Sequence, residues 1–329
     1  MSFRRSGLHI FAICLGLVGT CAQVTPVAAS AQGSFQRTLK VTGPVYMEIT
    51  TGSGNVDVHT GDSSQVLVTG RIRVTDWFGG ASAEEKVKRI EANPPVQQSG
   101  NNIRIGHLDD PWLRRNVSIS YEVVVPAETQ LRSHTGSGNQ TIQGIRGVLD
   151  VESGSGNLQV SGIGSTVRAE AGSGNIEIDK VNGNVRAKTG SGTIRASGVG
   201  GGFEGEAGSG NIKLEQTAPG AVRAETGSGE MELRGVRGSL EATAGSGNIH
   251  ADGAPAGMWR VHTGSGGVRL RMDADSAFDL EARTGSGSIR VNQALQVQGT
   301  LGRKEIQGKV RGGGVPVKVE TGSGSIQID

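Results

Sequence analysis

Residues 222 to 251 carry one pattern of apolar and polar positions twice over. Val222, Ala224 and Thr226 alternate with polar residues, Gly227-Ser228-Gly229 follows, Met231 and Leu233 alternate again, and Val236 closes the unit. Leu240, Ala242, Ala244, Gly245-Ser246-Gly247, Ile249 and Ala251 then restart it. Alternation at period two sends every second side chain to one face of a strand. Each unit therefore predicts a strand, a glycine corner, a second short strand, and a loop holding one more apolar residue.

The corner recurs along the chain. Gly-Ser-Gly occurs eleven times, its first glycines at 52, 136, 154, 172, 190, 208, 227, 245, 264, 285 and 322, so most neighbours lie 18 or 19 residues apart. A fixed period of this length is the mark of stacked coils. The predicted fold is all-β: a single-stranded β-helix, or β-solenoid, with coils of about 18 residues. Apolar offsets of 0, 2, 9, 11 and 14 do not fit a hexapeptide left-handed helix, which favours a right-handed coil. The second alternating position after each corner is apolar in every copy: Val58, Ile142, Val160, Ile178, Ala196, Leu214, Leu233, Ala251, Leu270, Val291 and Ile328. These positions predict one inward stack, and Phe203 and Trp259 replace inward aliphatics. One coil buries too little to offset the entropy of ordering its backbone, so stability must come from neighbouring coils. A stack of about twelve coils would be about 55 to 65 Å long at the sheet spacing.

Three regions depart from the period. Arg4 and Arg5, an apolar run from Leu8 to Val18 and the small residues Ala29-Ser30-Ala31 predict a signal peptide over 1–31. The run is too short to span a bilayer. The rival reading, a lipidated Cys21, is disfavoured by Thr20, which is bulkier than the residue that usually precedes such a cysteine. Residues 32–130 form an N-terminal β region with strand-like runs at Gln65 to Val74, Asn102 to Gly106 and Val117 to Val125. Its helix, at about 82–92, is predicted by a Ser82/Glu85 capping box, an apolar edge of Val87 and Ile90, and the stop Pro94-Pro95. With Trp77, Phe78 and Trp112 nearby, it is expected to cover the first open coil. Residues 131–329 hold the regular repeats, interrupted at about 295–316, where Arg303, Lys304, Lys309 and Arg311 give an excursion with positive charge.

Composition narrows the function. The net charge is +2, and loss of the two leader arginines leaves 31 bases against 31 acids, so no attraction to nucleic acid or an anionic membrane is implied. Both cysteines, Cys14 and Cys21, fall in the leader, which removes disulfides from the mature chain. Four residues before the first glycine, Glu204, Arg223, Glu241, Arg260 and Glu281 alternate in sign, which predicts a ladder of opposite charges between successive coils.

Candidate chemistry is sparse. Phosphate loops need a helix after the glycines, and a strand-like segment follows each corner instead. Calcium rolls need aspartate in the turn; here Asn55, Asn139, Asn157, Asn175, Asn211 and Asn248 follow six corners, which predicts ladders that satisfy turn backbone. Asp109-Asp110 and Asp273 with Asp275 are the best carboxylate pairs for a polysaccharide-acting enzyme, each in a loop-like stretch. His250 and His262 lie in neighbouring coils without a third zinc ligand. No catalytic, cofactor or metal site is assigned. Candidate surface-binding residues are the outward column Arg195, Lys213, Glu232 and His250, together with Arg303 and Lys304. Ser53, Ser137, Ser155, Ser173, Ser191, Ser209, Ser228, Ser246, Ser265, Ser286 and Ser323 are assigned to the turns.

The repeated Thr-Gly-Ser-Gly-Asn with its alternating apolar residues, the strand Val123-Val124-Val125-Pro126 leading into Thr135-Gly-Ser-Gly-Asn139, and the run Ile306 to Gly314 before the last coil resemble the bacterial DUF4097 family, often called "putative adhesins". The resemblance extends from about Phe35 to Asp329. It implies an exported or envelope-associated β-helix and supplies no catalytic motif. The resulting expectation is a non-catalytic envelope or cell-surface protein with an adhesin-like role, its partner a cell-surface glycan or an envelope protein, with no cofactor, no nucleic acid and no transmembrane helix in the mature chain. A polysaccharide-acting enzyme and a self-assembling envelope scaffold are the alternatives.

Overall fold

The computed structural model describes residues 29–76, 80–297 and 302–329. The leader, Cys21, Trp77 and Phe78 lie outside the described residues, apart from Ala29 to Ala31. Those three pair with Asp76, Thr75 and Val74 at the start of the first strand.

The N-terminal region runs β1 (Ala29–Lys40), β2 (Val45–Ser53), β3 (Val56–Thr60), β4 (Gln65–Asp76), α1 (Gly80–Ala92), β5 (Val96–Ser99), β6 (Asn102–Ile105), α2 (Pro111–Arg114) and β7 (Val117–Val125). Regular coils follow as strand pairs: β8 (Thr129–Ser137) with β9 (Gln140–Gln143), β10 (Leu149–Ser155) with β11 (Leu158–Ile163), β12 (Val167–Ser173) with β13 (Ile176–Val181), and β14 (Val185–Ser191) with β15 (Ile194–Val199). Next come β16 (Phe203–Ser209) with β17 (Ile212–Gln216), β18 (Val222–Ser228) with β19 (Met231–Val236), β20 (Leu240–Ser246) with β21 (Ile249–Gly253), and β22 (Trp259–Ser265) with β23 (Val268–Met272). The chain ends with β24 (Phe278–Ser286), β25 (Ile289–Val291), β26 (Leu295–Val297), β27 (Glu305–Val310), β28 (Val315–Ser323) and β29 (Ile326–Ile328).

Among the described residues one sheet has 15 strands and the other 14. Each coil gives its strand before the corner to the first sheet and its strand after the corner to the second, as the two alternating segments predict. Twelve strands of each sheet run parallel, eleven from Gly-Ser-Gly coils and one from β6 or β7, which stack on β2 and β3 as a coil without that corner. At 4.8 Å per coil the stack is about 55 Å long.

The inward stack forms as the alternation predicts. Val58, Ile142, Val160, Ile178, Ala196, Leu214, Leu233, Ala251, Leu270 and Ile328 are buried, and Val291, in the outermost coil, is partly buried. Trp259 and Phe203 are core residues, and the indole Nε1 of Trp259 donates to the Gly238 carbonyl at 3.0 Å. Buried polar residues share this core, Ser133 and Gln140 as a facing pair. The Ser133 hydroxyl donates to Gln140 Oε1 at 2.5 Å, and Gln140 Nε2 donates to the Glu152 carbonyl at 2.6 Å. The pair satisfies itself, which is the condition for burying such groups.

Both ends depart from chain order. At the first, the later segment β6–β7 stacks outside β2–β3, and β7, β4 and β1 continue the 14-stranded sheet in antiparallel fashion. The inner faces of β1 and β4 extend beyond the facing sheet. α1 covers them with Ala83, Val87 and Ile90, packed so closely that a Cβ on Gly33 would lie 2.3 Å from Val87 Cγ1. The helix begins at Gly80, so Ser82 sits in its first turn and not at its N-cap. The capping box is therefore not formed: the Glu85 carboxylate turns to Arg89, one turn on, at 2.6 Å. Lys86 and Arg89 stand over the Trp112 ring of α2 at 5.0 and 5.1 Å.

At the other end the last coil, β28–β29, does not stack outside its predecessor. It inserts between β22–β23 and β24–β25, while β27 and β26 extend the edge of β24 as antiparallel strands. The sequential charge ladder is corrected accordingly. Arg186–Glu204 (3.4 Å) and Arg223–Glu241 (3.6 Å) pair between neighbouring coils, but Arg260 stands beside Lys318, and Glu281 pairs with Lys318 instead of Arg260. Period and alternation are the same in every coil, so they set the register without setting the order.

Candidate functional site

The corner motif is held by two ladders that use its flanking residues. The second glycine of each corner has φ between +140° and +159°, and at Gly192 an added Cβ would lie 2.1 Å from the Gly174 carbonyl oxygen of the coil before. Only glycine fits that backbone and that approach. Inside the corner, buried threonines close its backbone: Thr189, Thr226, Thr263 and Thr321 each donate at 2.9 Å to the second-glycine carbonyl of the adjacent coil. Outside it, the side-chain oxygen of each asparagine accepts from the next coil's amide: Asn55 from Asn139 N, Asn139 from Asn157 N, Asn157 from Asn175 N, Asn175 from Thr193 N, Asn211 from Glu230 N and Asn248 from Gly267 N, at 2.8–3.0 Å. These oxygens are thus committed to backbone. The eleven serines are exposed and stand in register from coil to coil, with Ser323 between Ser265 and Ser286.

The predicted outward column exists. Arg195, Lys213, Glu232 and His250 are in direct register on the 14-stranded sheet. Lys213 lies 3.2 Å from Glu232, which also pairs with Arg234 along its own strand, and His250 lies 3.7 Å from Glu230. The hydrogen bond from Lys213, then that from Arg234 and the charges of both cations, hold the Glu232 carboxyl below its usual range against the opposing effect of desolvation. Arg303 and Lys304 are exposed beside β27 of the other sheet, so they do not join the column.

The other candidates separate. His250 is on the 14-stranded sheet and His262 on the 15-stranded one, where it faces Glu320 at 3.7 Å. Asp110 caps α2 by accepting from Trp112 N at 2.8 Å, and Asp109 pairs with His107 at 3.0 Å. The Asp273 carbonyl accepts from Ser276 N at 3.0 Å, and Asp275 lies 3.5 Å from Arg311.

One concavity carries residues that the sequence reading did not single out. A groove of about 880 Å³ crosses the outer face of the 15-stranded sheet, lined in part by Tyr46, Gln97, Asn102, Gln130, Val148 and Asp150. Tyr46 is 51% exposed and Val148 46%. The signal was present in the alternation: Val45 and Met47 point inward, which turns Tyr46 outward.

These observations define a two-sheet parallel β-solenoid whose corners are closed by threonine and asparagine ladders. The chain belongs to the Toastrack DUF4097 family, whose model matches residues 165–329. No curated protein matches it. Among solved structures it is similar to one described as a "putative cell adhesion protein" from Clostridium sporogenes ATCC 15579, with 11% identity over 91% of this chain and 99% of that chain and a TM-score of 0.22. Another, described as a "putative adhesin" from Bacteroides fragilis NCTC 9343, is 11% identical over 90% of this chain and 97% of that chain, with a TM-score of 0.30.

Proposed function

We propose that this chain is an exported, non-catalytic solenoid of the cell envelope that acts by presenting its outward faces to a binding partner. The observation that carries the reading is the arrangement of the outward ions. Lys188–Glu206, Lys213–Glu232 and Arg223–Glu241 compensate each other between coils at 2.8, 3.2 and 3.6 Å, giving long faces of fixed register. Catalysis by paired carboxylates calls for the opposite arrangement, groups converging on one point with their pKa values driven apart. Of the candidate carboxylates, Asp110 caps α2, and Asp109 and Asp275 face His107 and Arg311. A leader over residues 1–31 would place the mature chain outside the cytoplasm. Antiparallel strands at both ends and the α1 cap favour a finite rod over a filament.

The test is to mix the purified full chain with isolated cell envelopes and with soluble envelope polysaccharides. Saturable co-sedimentation without new reducing ends is the expected result. Release of reducing ends, or failure to co-sediment, overturns the proposal.

A further inference from the structure

We infer that the groove around Tyr46 is a binding site for a neutral polysaccharide chain. The inference rests on the binding-module reading above and gives it a place and a ligand class.

The groove is built from two columns of outward side chains that cross four coils. The first reads Asn102, Tyr46, Gln130 and Val148. Tyr46 is in register with both Asn102 and Gln130, and Val148 adjoins Gln130 in the next coil. The second reads Arg104, Glu48, Arg132 and Asp150, two residues further along each strand. The hairpin β5–β6 forms one wall and is pinned by Gln98, whose Nε2 donates to the Lys40 and Gly100 carbonyls at 2.8 Å each.

Three properties select the ligand. Tyr46 offers an exposed ring with a polar tip, and the negative face of such a ring suits the C–H face of a sugar. The amides of Gln97, Asn102 and Gln130 have no hydrogen-bond partner among the described residues. Each holds donors and an acceptor together, which matches the paired donor and acceptor character of vicinal hydroxyls. The charges of the second column are spent on each other: Arg104 lies 3.5 Å from Glu48, and Arg132 lies 3.2 Å from Asp150 Oδ2. An anionic polymer therefore finds little net attraction here. Asp150 Oδ1 is shielded from solvent and faces Arg168 Nε at 3.7 Å, so the Asp150 carboxylate is held between two arginines and not offered to a ligand.

A protein partner would require a larger apolar centre than Tyr46 and Val148 supply. The first column spans three coil spacings, about 14 Å, which is the scale of a short oligosaccharide lying along the stack.

The experiment titrates the full chain with cellohexaose, maltohexaose and chitohexaose, and with polygalacturonate as an anionic comparison, by calorimetry. At least one neutral hexasaccharide should bind. Tyr46→Ala and Gln130→Ala should each weaken that binding about tenfold or more, while Gln159→Ala, at an exposed position of β11 on the opposite sheet, leaves it unchanged; thermal unfolding of each variant checks that the fold is kept. Absence of binding to all three neutral sugars, equal binding by Tyr46→Ala, or binding confined to polygalacturonate overturns the inference. Envelope co-sedimentation that survives Tyr46→Ala would also overturn it while leaving the broader binding-module reading in place.

Discussion

Lys318 Nζ lies 2.9 Å from Glu281 Oε2, and the same lysine stands in register with Arg260 on its other side. The last coil of the chain is therefore a wedge between two earlier coils. At the Lys318 position one flank is a matched ion pair and the other a pair of like charges. The hydrogen bond from Lys318, with the charges of Lys318 and Arg283, holds the Glu281 carboxyl below its usual range despite desolvation.

A carboxyl depressed in the folded state stabilises the fold fully above its unfolded pKa, and that contribution is lost as pH falls through the folded value. Glu281 starts from 4.5, so the effect belongs below that pH. Amide protection in β28, corrected for the intrinsic pH dependence of exchange, should fall as the protein is acidified below 4.5, and Glu281→Gln should weaken this dependence. The expected size is that of a partly exposed ion pair, about 0.5–1 kcal/mol. Identical acid profiles for the two proteins would remove Lys318–Glu281 as a register lock.

The wedge makes a geometric prediction as well. In a chain lacking Cys14 and Cys21, Arg260→Cys with Lys318→Cys places two thiols on adjacent strands, within disulfide reach. Arg260→Cys with Glu281→Cys places them two strands apart, about 9.6 Å, beyond the limit of about 7 Å between Cα atoms. Oxidation should cross-link the first pair and leave the second reduced, as read by peptide mass. The reverse outcome would restore simple sequential stacking.

Within the corner, the glycines and the serine should differ sharply. Gly192→Ala meets both an unfavourable φ of +150° and the Gly174 carbonyl, and should cost about 3 kcal/mol or more. Ser191 is exposed, so Ser191→Ala should stay within about 0.5 kcal/mol. Urea unfolding of the two variants decides the matter; equal effects would mean that the serine column, and not the glycine backbone, holds the turn.

The ladders predict graded losses. Thr263→Val keeps the shape but removes the hydrogen bond to the Gly247 carbonyl in a buried setting, and should cost about 1–2 kcal/mol. Asn157→Ala removes an exposed acceptor for Asn175 N and should cost about 0.5–1 kcal/mol, whereas Asn157→Asp keeps the acceptor and should cost less. Denaturant midpoints of the three variants should fall in that order; an aspartate variant as weak as the alanine would show that acceptance from Asn175 N is not what the residue contributes.

Much of the fold was legible because a solenoid writes its rule in every coil. The alternation around each corner places Trp259 and Phe203 inside, and the asparagine after the corner points to a ladder. Coil order was not legible, because Lys318 and Glu281 occupy the same repeat position and each fits beside Arg260 by period alone. The capping box failed for a local reason: Glu85 has a partner at Arg89 that competes with the helix end. Tyr46 could have been found, since strict alternation turns it outward. The groove around it depends on the β5–β6 hairpin, whose pairing to β2 joins residues separated by the whole of β3, β4 and α1.

We propose that this solenoid works outside the cytoplasm as a binding rod. The most direct measurement is to fractionate cells expressing the intact chain and determine the mass of the mature protein. A product beginning at Gln32 in the exported fraction, outside the cytoplasm, is the expected result. Full-length protein retained in the cytoplasm would contradict it.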